Sequence, residues 1–93
     1  MRKLTVMRPQ KVLPFSKGSI MIDNNECGIV KAGKTETIEI PDGNCGIQLI
    51  FKALPPVNSN VIFLTEADGD TTLEVKITVP LKNDETTAEI FKK

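Results

Sequence analysis

A strict alternation of apolar and polar residues over positions 72–79 constrains the fold more than any other feature of the chain. Successive side chains of a β-strand point to opposite faces, so this segment is predicted to be a strand with one buried and one solvated face. Its apolar face consists of Leu73, Val75, Ile77 and Val79. No segment carries the apolar period of about 3.6 residues that marks a helix. The chain is therefore predicted to be all-β.

Six further segments, rich in β-branched and aromatic residues and separated by turn signals, predict additional strands. They cover residues 3–8, 18–23, 26–32, 35–40, 45–53 and 60–66. The segment 45–53 is expected at the centre of a sheet, because apolar residues occupy both of its faces. Gly28 is expected to mark a bulge or a close backbone approach. The dipeptide Asp68-Gly69 is predicted to close a hairpin between the strand 60–66 and the strand 72–79.

The regular spacing of short strands and turns predicts a small antiparallel β-sandwich of about seven strands. A small β-barrel is the alternative. A chain of 93 residues is long enough for one modest core, so a single domain is expected to span residues 1–93. Beyond Pro80 the sequence turns polar, and residues 81–93 are expected to add an edge strand or to form a frayed tail.

The absence of histidine restricts the chemistry that this chain can perform. The sequence contains no His, Trp or Tyr, which excludes Ser-His-Asp and Cys-His catalytic arrangements. We therefore expect no enzyme activity and no cofactor. A structural zinc site needs more ligands than Cys27 and Cys45 can supply, so no metal is expected. Both cysteines are predicted to be buried as small apolar side chains, with a disulfide between them as the alternative.

The charges balance over the whole chain but not between its two parts. Residues 1–34 carry seven Lys or Arg and two acidic residues, whereas residues 35–93 carry five and ten. Such a distribution fits a dipolar surface that pairs with a partner or with a second copy. It also fits a sandwich in which strands of both parts interleave and their charges mix, and we favour that interpretation. The net charge of zero argues against a general nucleic-acid-binding protein.

Two groups of residues are candidates for contact with partners. The first is a loose basic stretch that consists of Arg2, Lys3, Arg8, Lys11 and Lys17. We interpret this stretch as a solvated basic edge, which discourages aggregation. Weak binding of nucleic acid or of an anionic surface is the alternative, and nucleic acid is disfavoured because Phe51 and Phe63 are predicted to be core residues rather than stacking platforms. The second group is an exposed loop that consists of Leu54, Pro55, Pro56, Val57, Asn58 and Ser59.

The segments 20–30 and 35–44 resemble small β-domains of the PEGA type, in which a strand-turn-strand unit precedes a Thr-rich strand and a proline-glycine turn. The matching residues are Ile20, Ile22, Asp23 and Gly28, followed by Pro41 and Gly43. The chain departs from the family after Gly43, where Asn44 and Cys45 stand in place of a common histidine. The resemblance implies a bacterial, non-enzymatic accessory module with a β-sandwich fold, and it supplies no catalytic residues.

Clear strand alternation without catalytic residue types predicts a non-catalytic accessory or protein-interaction module. Self-association through edge strands is a further alternative. No stretch approaches the roughly 20 apolar residues that a membrane-spanning helix requires, and residues 1–7 lack the long apolar region of a signal peptide. We therefore expect a cytoplasmic protein with reduced cysteines, no membrane span, and a protein partner or a second copy as its contact.

Overall fold

The structure, a computed structural model, describes residues 1–12, 16–53, 55–80 and 86–93 and contains two β-sheets around one core. The strands are β1 (Arg2–Arg8), β2 (Gly18–Ile22), β3 (Asn25–Val30), β4 (Lys34–Ile40), β5 (Cys45–Phe51), β6 (Val57–Asn58), β7 (Ile62–Leu64), β8 (Thr71–Thr78) and β9 (Thr87–Lys92). One sheet has the strand order β4-β1-β8-β9. The other has the order β3-β2-β5-β6, and β7 also pairs with β5. The sheets do not close into a barrel, so the predicted all-β sandwich is confirmed.

The strand positions follow the predictions except between residues 45 and 66. β5 ends at Phe51, the predicted strand 60–66 shortens to β7, and the two-residue strand β6 lies within the segment predicted as a loop. β9 forms the predicted edge strand, whereas residues 81–85 lie outside the described residues. At the predicted bulge, the register of β3 against β2 shifts between Gly28 and Glu26, which leaves Cys27 as the extra residue.

The first strand lies in the interior of its sheet, between β4 and β8. It pairs antiparallel with β4 but parallel with β8, so the sandwich is not wholly antiparallel as predicted. Parallel neighbours cannot be joined by a tight turn and require a crossover connection. Here the chain passes through six other strands before it returns as β8, and no local sequence pattern reports a pairing over that distance.

The Asp68-Gly69 segment does not form the predicted hairpin, because β7 and β8 belong to different sheets. A single turn of 3₁₀ helix, Glu66–Asp68, carries the chain from one sheet to the other. The Asp68 carboxylate accepts a hydrogen bond from Thr65 N–H at 2.6 Å and another from Lys92 Nζ at 2.8 Å. Crossovers and hairpins use the same turn residues, which is why the sequence signal misleads here.

The core takes apolar side chains from every one of these strands. The alternation in β8 buries Leu73, Val75 and Ile77 as predicted, whereas Val79 lies beyond the end of β8 and is 52% exposed. Cys45 is buried as predicted. The prediction for Cys27 is wrong, because this residue lies in the bulge of the edge strand β3 and is exposed, and both thiols are free.

Two amide side chains take the place of backbone partners where strands stop. Pro9 follows the last residue of β1, and the Gln10 amide then donates to Ile77 O at 3.2 Å and accepts from Ile77 N at 2.7 Å. In the same way, Asn60 donates to Ile90 O at 3.0 Å and accepts from Ile90 N at 2.7 Å. Asn60 therefore covers part of the edge of β9 and discourages strand addition there.

Candidate functional site

The two arginines of β1 point into the interior and not into solvent. Arg2 and Arg8 alternate in phase with Leu4 and Val6, and all four residues are buried. Arg2 is 5% exposed and Arg8 is 0% exposed. The predicted solvated basic edge is therefore wrong for both arginines, because a strand in the middle of a sandwich sends alternate side chains inward whatever their charge. Each guanidinium closes one end of the sandwich.

Arg2 binds backbone carbonyl groups from two loops at the first end. Its Nη2 donates to Gly43 O at 2.7 Å, and its Nη1 donates to Thr65 O. The same Nη2 lies 3.7 Å from the Sγ of the buried Cys45. Among the described residues, Arg2 Nε has no hydrogen-bond partner. The side chain thereby joins the turn before β5 to the residue after β7.

A cleft of about 290 Å³ opens at this end, between the start of β5 and the end of β7. Its walls are Asp23, Asn44, Cys45, Gly46, Phe63, Leu64 and Thr65. Asp23 continues the pairing of β2 with β5, because its backbone N–H donates to Gly46 O at 3.0 Å and its Oδ1 accepts from Gly46 N at 2.8 Å. Asp23 has a φ of 49°, a left-handed conformation that aspartate tolerates better than most residues.

Phe63 forms an exposed apolar wall of the cleft. Its side chain is 77% exposed, and the neighbouring Val61 is 43% exposed. Phe63 is paired with Gly46 across β5 and β7, and a Cβ added at Gly46 would lie 3.4 Å from the ring. The Phe63 ring therefore lies over Gly46, at ordinary van der Waals distance from the position of such a Cβ. The prediction of Phe63 as a core residue is wrong, because Ile62 and Leu64 supply the inward face of β7.

Arg8 closes the opposite end of the sandwich in a similar way. Its Nη1 donates to Ser16 O at 2.8 Å and to Val30 O at 3.0 Å, and its Nη2 donates to Val12 O at 3.2 Å. The Cζ atom lies 4.8 Å from the centroid of the Phe51 ring. Burial lowers the pKa of the Arg8 guanidinium below its ordinary value. These contacts hold the surrounding chain segments together around a buried cation.

The lysines of the predicted basic stretch are exposed but do not form one patch. Lys3 follows Arg2 at the cleft end, and its backbone N–H donates to Asp70 Oδ1 at 2.8 Å. Lys11 and Lys17 are exposed at the other end, next to the segments that Arg8 binds. The predicted stretch is therefore divided between the two ends of β1.

The predicted contact loop is largely built into the second sheet. Val57 and Ser59 are buried, whereas Pro55, Pro56 and Asn58 are exposed, and Leu54 lies outside the described residues. Ser59 N donates to Leu49 O at 2.8 Å, and Leu49 N donates to Ser59 Oγ at 2.9 Å. These bonds continue the ladder of β5 between β6 and β7, so the segment acts as a sheet edge and not as an independent loop.

The sequence predictions miss the cleft, although one signal points to it. Val61 and Phe63 lie on one face of their segment and Ile62 and Leu64 on the other. An apolar run of this kind either lies at the centre of a sheet or exposes one apolar face. Because β7 has only three residues and lies at an edge, the second possibility holds here.

Comparison of the chain with models of protein families, with curated proteins and with solved structures finds no match. The resemblance to PEGA-type domains therefore stays a prediction. Within the described ranges, no group of three or more Cys, Asp or Glu side chains is placed to hold a metal ion. That part of the chain also contains no helix of the length and hydropathy needed to cross a membrane. The cleft offers a ligand apolar contact at Phe63 and a carboxylate at Asp23, beside the edge of β7.

Proposed function

We propose that this chain is a non-catalytic protein-interaction domain that binds an extended segment of another protein along β7. The observation that carries this proposal is the 77% exposure of Phe63, on a strand whose outer edge has no strand partner among the described residues. A large aromatic side chain exposed beside a cleft is typical of a binding surface. The partner segment adds to the sheet as a strand and places an apolar side chain against Phe63.

The edge of β7 suits strand addition because β7 lies at the margin of its sheet. β7 pairs with residues 45–47 of β5 on one side, and no strand of the described ranges pairs with its other edge. An added strand gains affinity from main-chain hydrogen bonds and specificity from pockets for alternate side chains. The cleft has a volume of about 290 Å³. Pockets that bind small molecules usually have volumes of at least about 300 Å³. The cleft therefore fits one apolar side chain better than a whole small molecule.

The acidic residues near the cleft define the charge of the partner segment. Asp23 lines the cleft, and Glu66 is exposed in the 3₁₀ turn that follows β7. Opposite charges across an interface favour association and reject competitors of like charge. The expected ligand is therefore an extended segment that carries an apolar residue next to Lys or Arg.

Selection from a random-peptide display library tests the proposal without a known partner. We expect the wild-type chain to enrich peptides that combine an apolar residue with Lys or Arg. Phe63→Ser should bind the enriched peptides at least about tenfold more weakly, which corresponds to about 1.4 kcal/mol and is modest for an aromatic anchor. Isothermal titration calorimetry with the enriched peptides measures this difference.

Val79→Ser is the matched control, because Val79 is also an exposed apolar residue but lies at the opposite end of the sandwich. Binding that survives in Val79→Ser and is lost in Phe63→Ser supports the proposal. A library without enriched peptides, or peptides that bind all three chains equally, contradicts it. Light scattering adds a further test, since a wild-type dimer that becomes monomeric in Phe63→Ser assigns the surface to self-association instead.

A further inference from the structure

The end of the sandwich that Arg8 closes carries five lysines on adjoining segments. We name this surface the lysine end and define it as Lys11, Lys17, Lys31, Lys34 and Lys52, all of which are exposed. We propose that the lysine end binds anionic phospholipid headgroups and holds the domain against a membrane surface. The inference rests on residues remote from the cleft and is independent of the proposed function.

Hydrogen bonds and packing bring three of these lysines together beside the first sheet. Gly33 N donates to Gln10 O at 3.2 Å and joins the segment after β1 to the turn before β4. The side chain of Lys11 lies over this turn, and its Cγ is 3.3 Å from the position of an added Gly33 Cβ. Within the turn, Lys34 N donates to Lys31 O at 3.1 Å. Lys11, Lys31 and Lys34 are therefore neighbours in space.

The other two lysines, Lys17 and Lys52, lie next to each other at one end of the second sheet. Gly18 at the start of β2 pairs with Phe51 at the end of β5, so the residues just outside that pair, Lys17 and Lys52, lie at the same end of the sheet. Arg8 connects them to the first group, because its guanidinium stacks on Phe51 and binds the carbonyl groups of residues 12, 16 and 30. The five lysines thus surround one buried cation.

Negative charge is scarce among the described loop residues at this end. The described loop residues there are 9–12, 16–17, 31–33, 52–53, 55–56 and 79–80, and none of them is Asp or Glu. Among the described residues, one ion pair involves these lysines, between Lys52 Nζ and Glu26 Oε1 at 3.8 Å, and the Lys52 side chain is 72% exposed. An exposed pair of this kind contributes little. The lysine end therefore presents a positive potential to solvent.

Exposed apolar residues accompany the lysines. Val79 is 52% exposed, and it follows the part of β8 that Gln10 ties to this end. Pro55 and Pro56 are exposed beyond Lys52. Apolar tips among lysines are typical of surfaces in the headgroup region, where apolar atoms enter the acyl boundary and ammonium groups reach the phosphates.

The geometry favours a lipid surface over a nucleic acid or an acidic polypeptide. The lysines come from separate segments and cover the end of an elongated molecule of 41 × 22 × 20 Å, an arrangement that suits a flat array of headgroups. Binding of single-stranded nucleic acid usually adds exposed aromatic side chains on which bases stack. Phe51, the aromatic residue that the described part of the chain places at this end, is 0% exposed.

Sedimentation of the full chain with vesicles of equimolar phosphatidylserine and phosphatidylcholine tests the proposal, with vesicles of phosphatidylcholine alone as the reference. We expect binding to the anionic vesicles that weakens as salt is added, because salt screens exposed charges. The double variant Lys17→Gln/Lys31→Gln should bind about 25-fold more weakly, since each lysine near an anionic membrane contributes about fivefold.

The double variant Lys3→Gln/Lys93→Gln removes the same charge from outside the lysine end and should bind within about twofold of the wild type. Phe63→Ser should also bind the vesicles normally, which separates this proposal from the cleft. Absence of binding to the anionic vesicles, or an equal loss in the two double variants, would overturn the proposal. Binding to duplex DNA or polyglutamate that is tighter than vesicle binding and depends on Lys17 and Lys31 would overturn it as well.

Discussion

At the scale of single residues, Arg8 shows how a small β-domain accommodates a buried cation. Removal of a guanidinium from water is costly unless its donors find new acceptors. Three carbonyl oxygens and the face of the Phe51 ring replace the solvent here. The acceptors lie on separate segments of the chain, so the buried charge also fixes the shape of the lysine end.

Replacement of Arg8 tests this role directly. Arg8→Met keeps an apolar stem but leaves the carbonyl groups of Ser16, Val30 and Val12 without their donors, and we expect the free energy of unfolding to fall by about 3 kcal/mol. Lys3→Met, on the opposite face of the same strand, should change it by less than about 0.5 kcal/mol. Urea denaturation measures both values. Equal effects of the two substitutions would contradict an interior role for Arg8.

The alternation along β1 predicts which residues share a face with the two arginines, but it does not predict whether that face is buried. Arg2 and Arg8 lie on the same face as Leu4 and Val6. If β1 were an edge strand, residues at the two ends of this face would be exposed to solvent. Only the position of β1 between β4 and β8 places both guanidinium groups inside. Phe63 poses the same problem, because the pairing of β7 with β5 decides which of its two apolar faces is buried.

At the scale of elements, an ion pair connects Asp68 in the 3₁₀ turn of the crossover to Lys92 in β9. The hydrogen bond from Lys92, and next the one from Thr65 N–H, lower the pKa of Asp68 from 3.8 to about 2. A carboxyl group whose pKa is lower in the folded state stabilises that state above its ordinary pKa. This contribution is lost as the pH falls through about 2.

Carbon-13 NMR of the Asp68 carboxyl group measures this titration. We expect a titration midpoint of about 2 in the wild type. In Lys92→Met the midpoint should shift toward the ordinary value, because that substitution removes the largest cause of the lowered pKa. Lys93→Met is the control, since Lys93 pairs with Glu74 and not with Asp68. A wild-type midpoint at 3.8, the ordinary value, would contradict the Lys92 contact.

Local spacing predicts where strands begin and end, but pairing between strands depends on distant residues. The alternation of β8 and the bulge of β3 follow from period-two patterns and a glycine, and both are confirmed. The sheet to which each strand belongs does not follow from such patterns. For this reason the parallel pairing of β1 with β8 and the crossover after β7 differ from the predicted antiparallel order and hairpin.

At the scale of the whole molecule, the two ends of the sandwich differ in chemistry. One end carries the cleft with Phe63 and Asp23, and the other carries the lysine end. Strands of the two parts of the chain interleave as predicted, because β1 lies between β4 and β8 and β2 pairs with β5. This interleaving brings Lys52 of the second part to the same end as Lys11, Lys17, Lys31 and Lys34 of the first. A domain that binds a protein segment at one end and an anionic membrane surface at the other would hold its protein partner close to the membrane.

Both proposals require β1 to be an interior strand with a buried arginine at each end. Hydrogen-bond scalar couplings and nuclear Overhauser effects in an isotope-labelled sample test this most directly. We expect β1 to form backbone hydrogen bonds with both β4 and β8, with parallel contacts that link Leu4 to Thr71 and Val6 to Leu73. A β1 strand that pairs with only one neighbour, or that runs antiparallel to β8, would contradict the account.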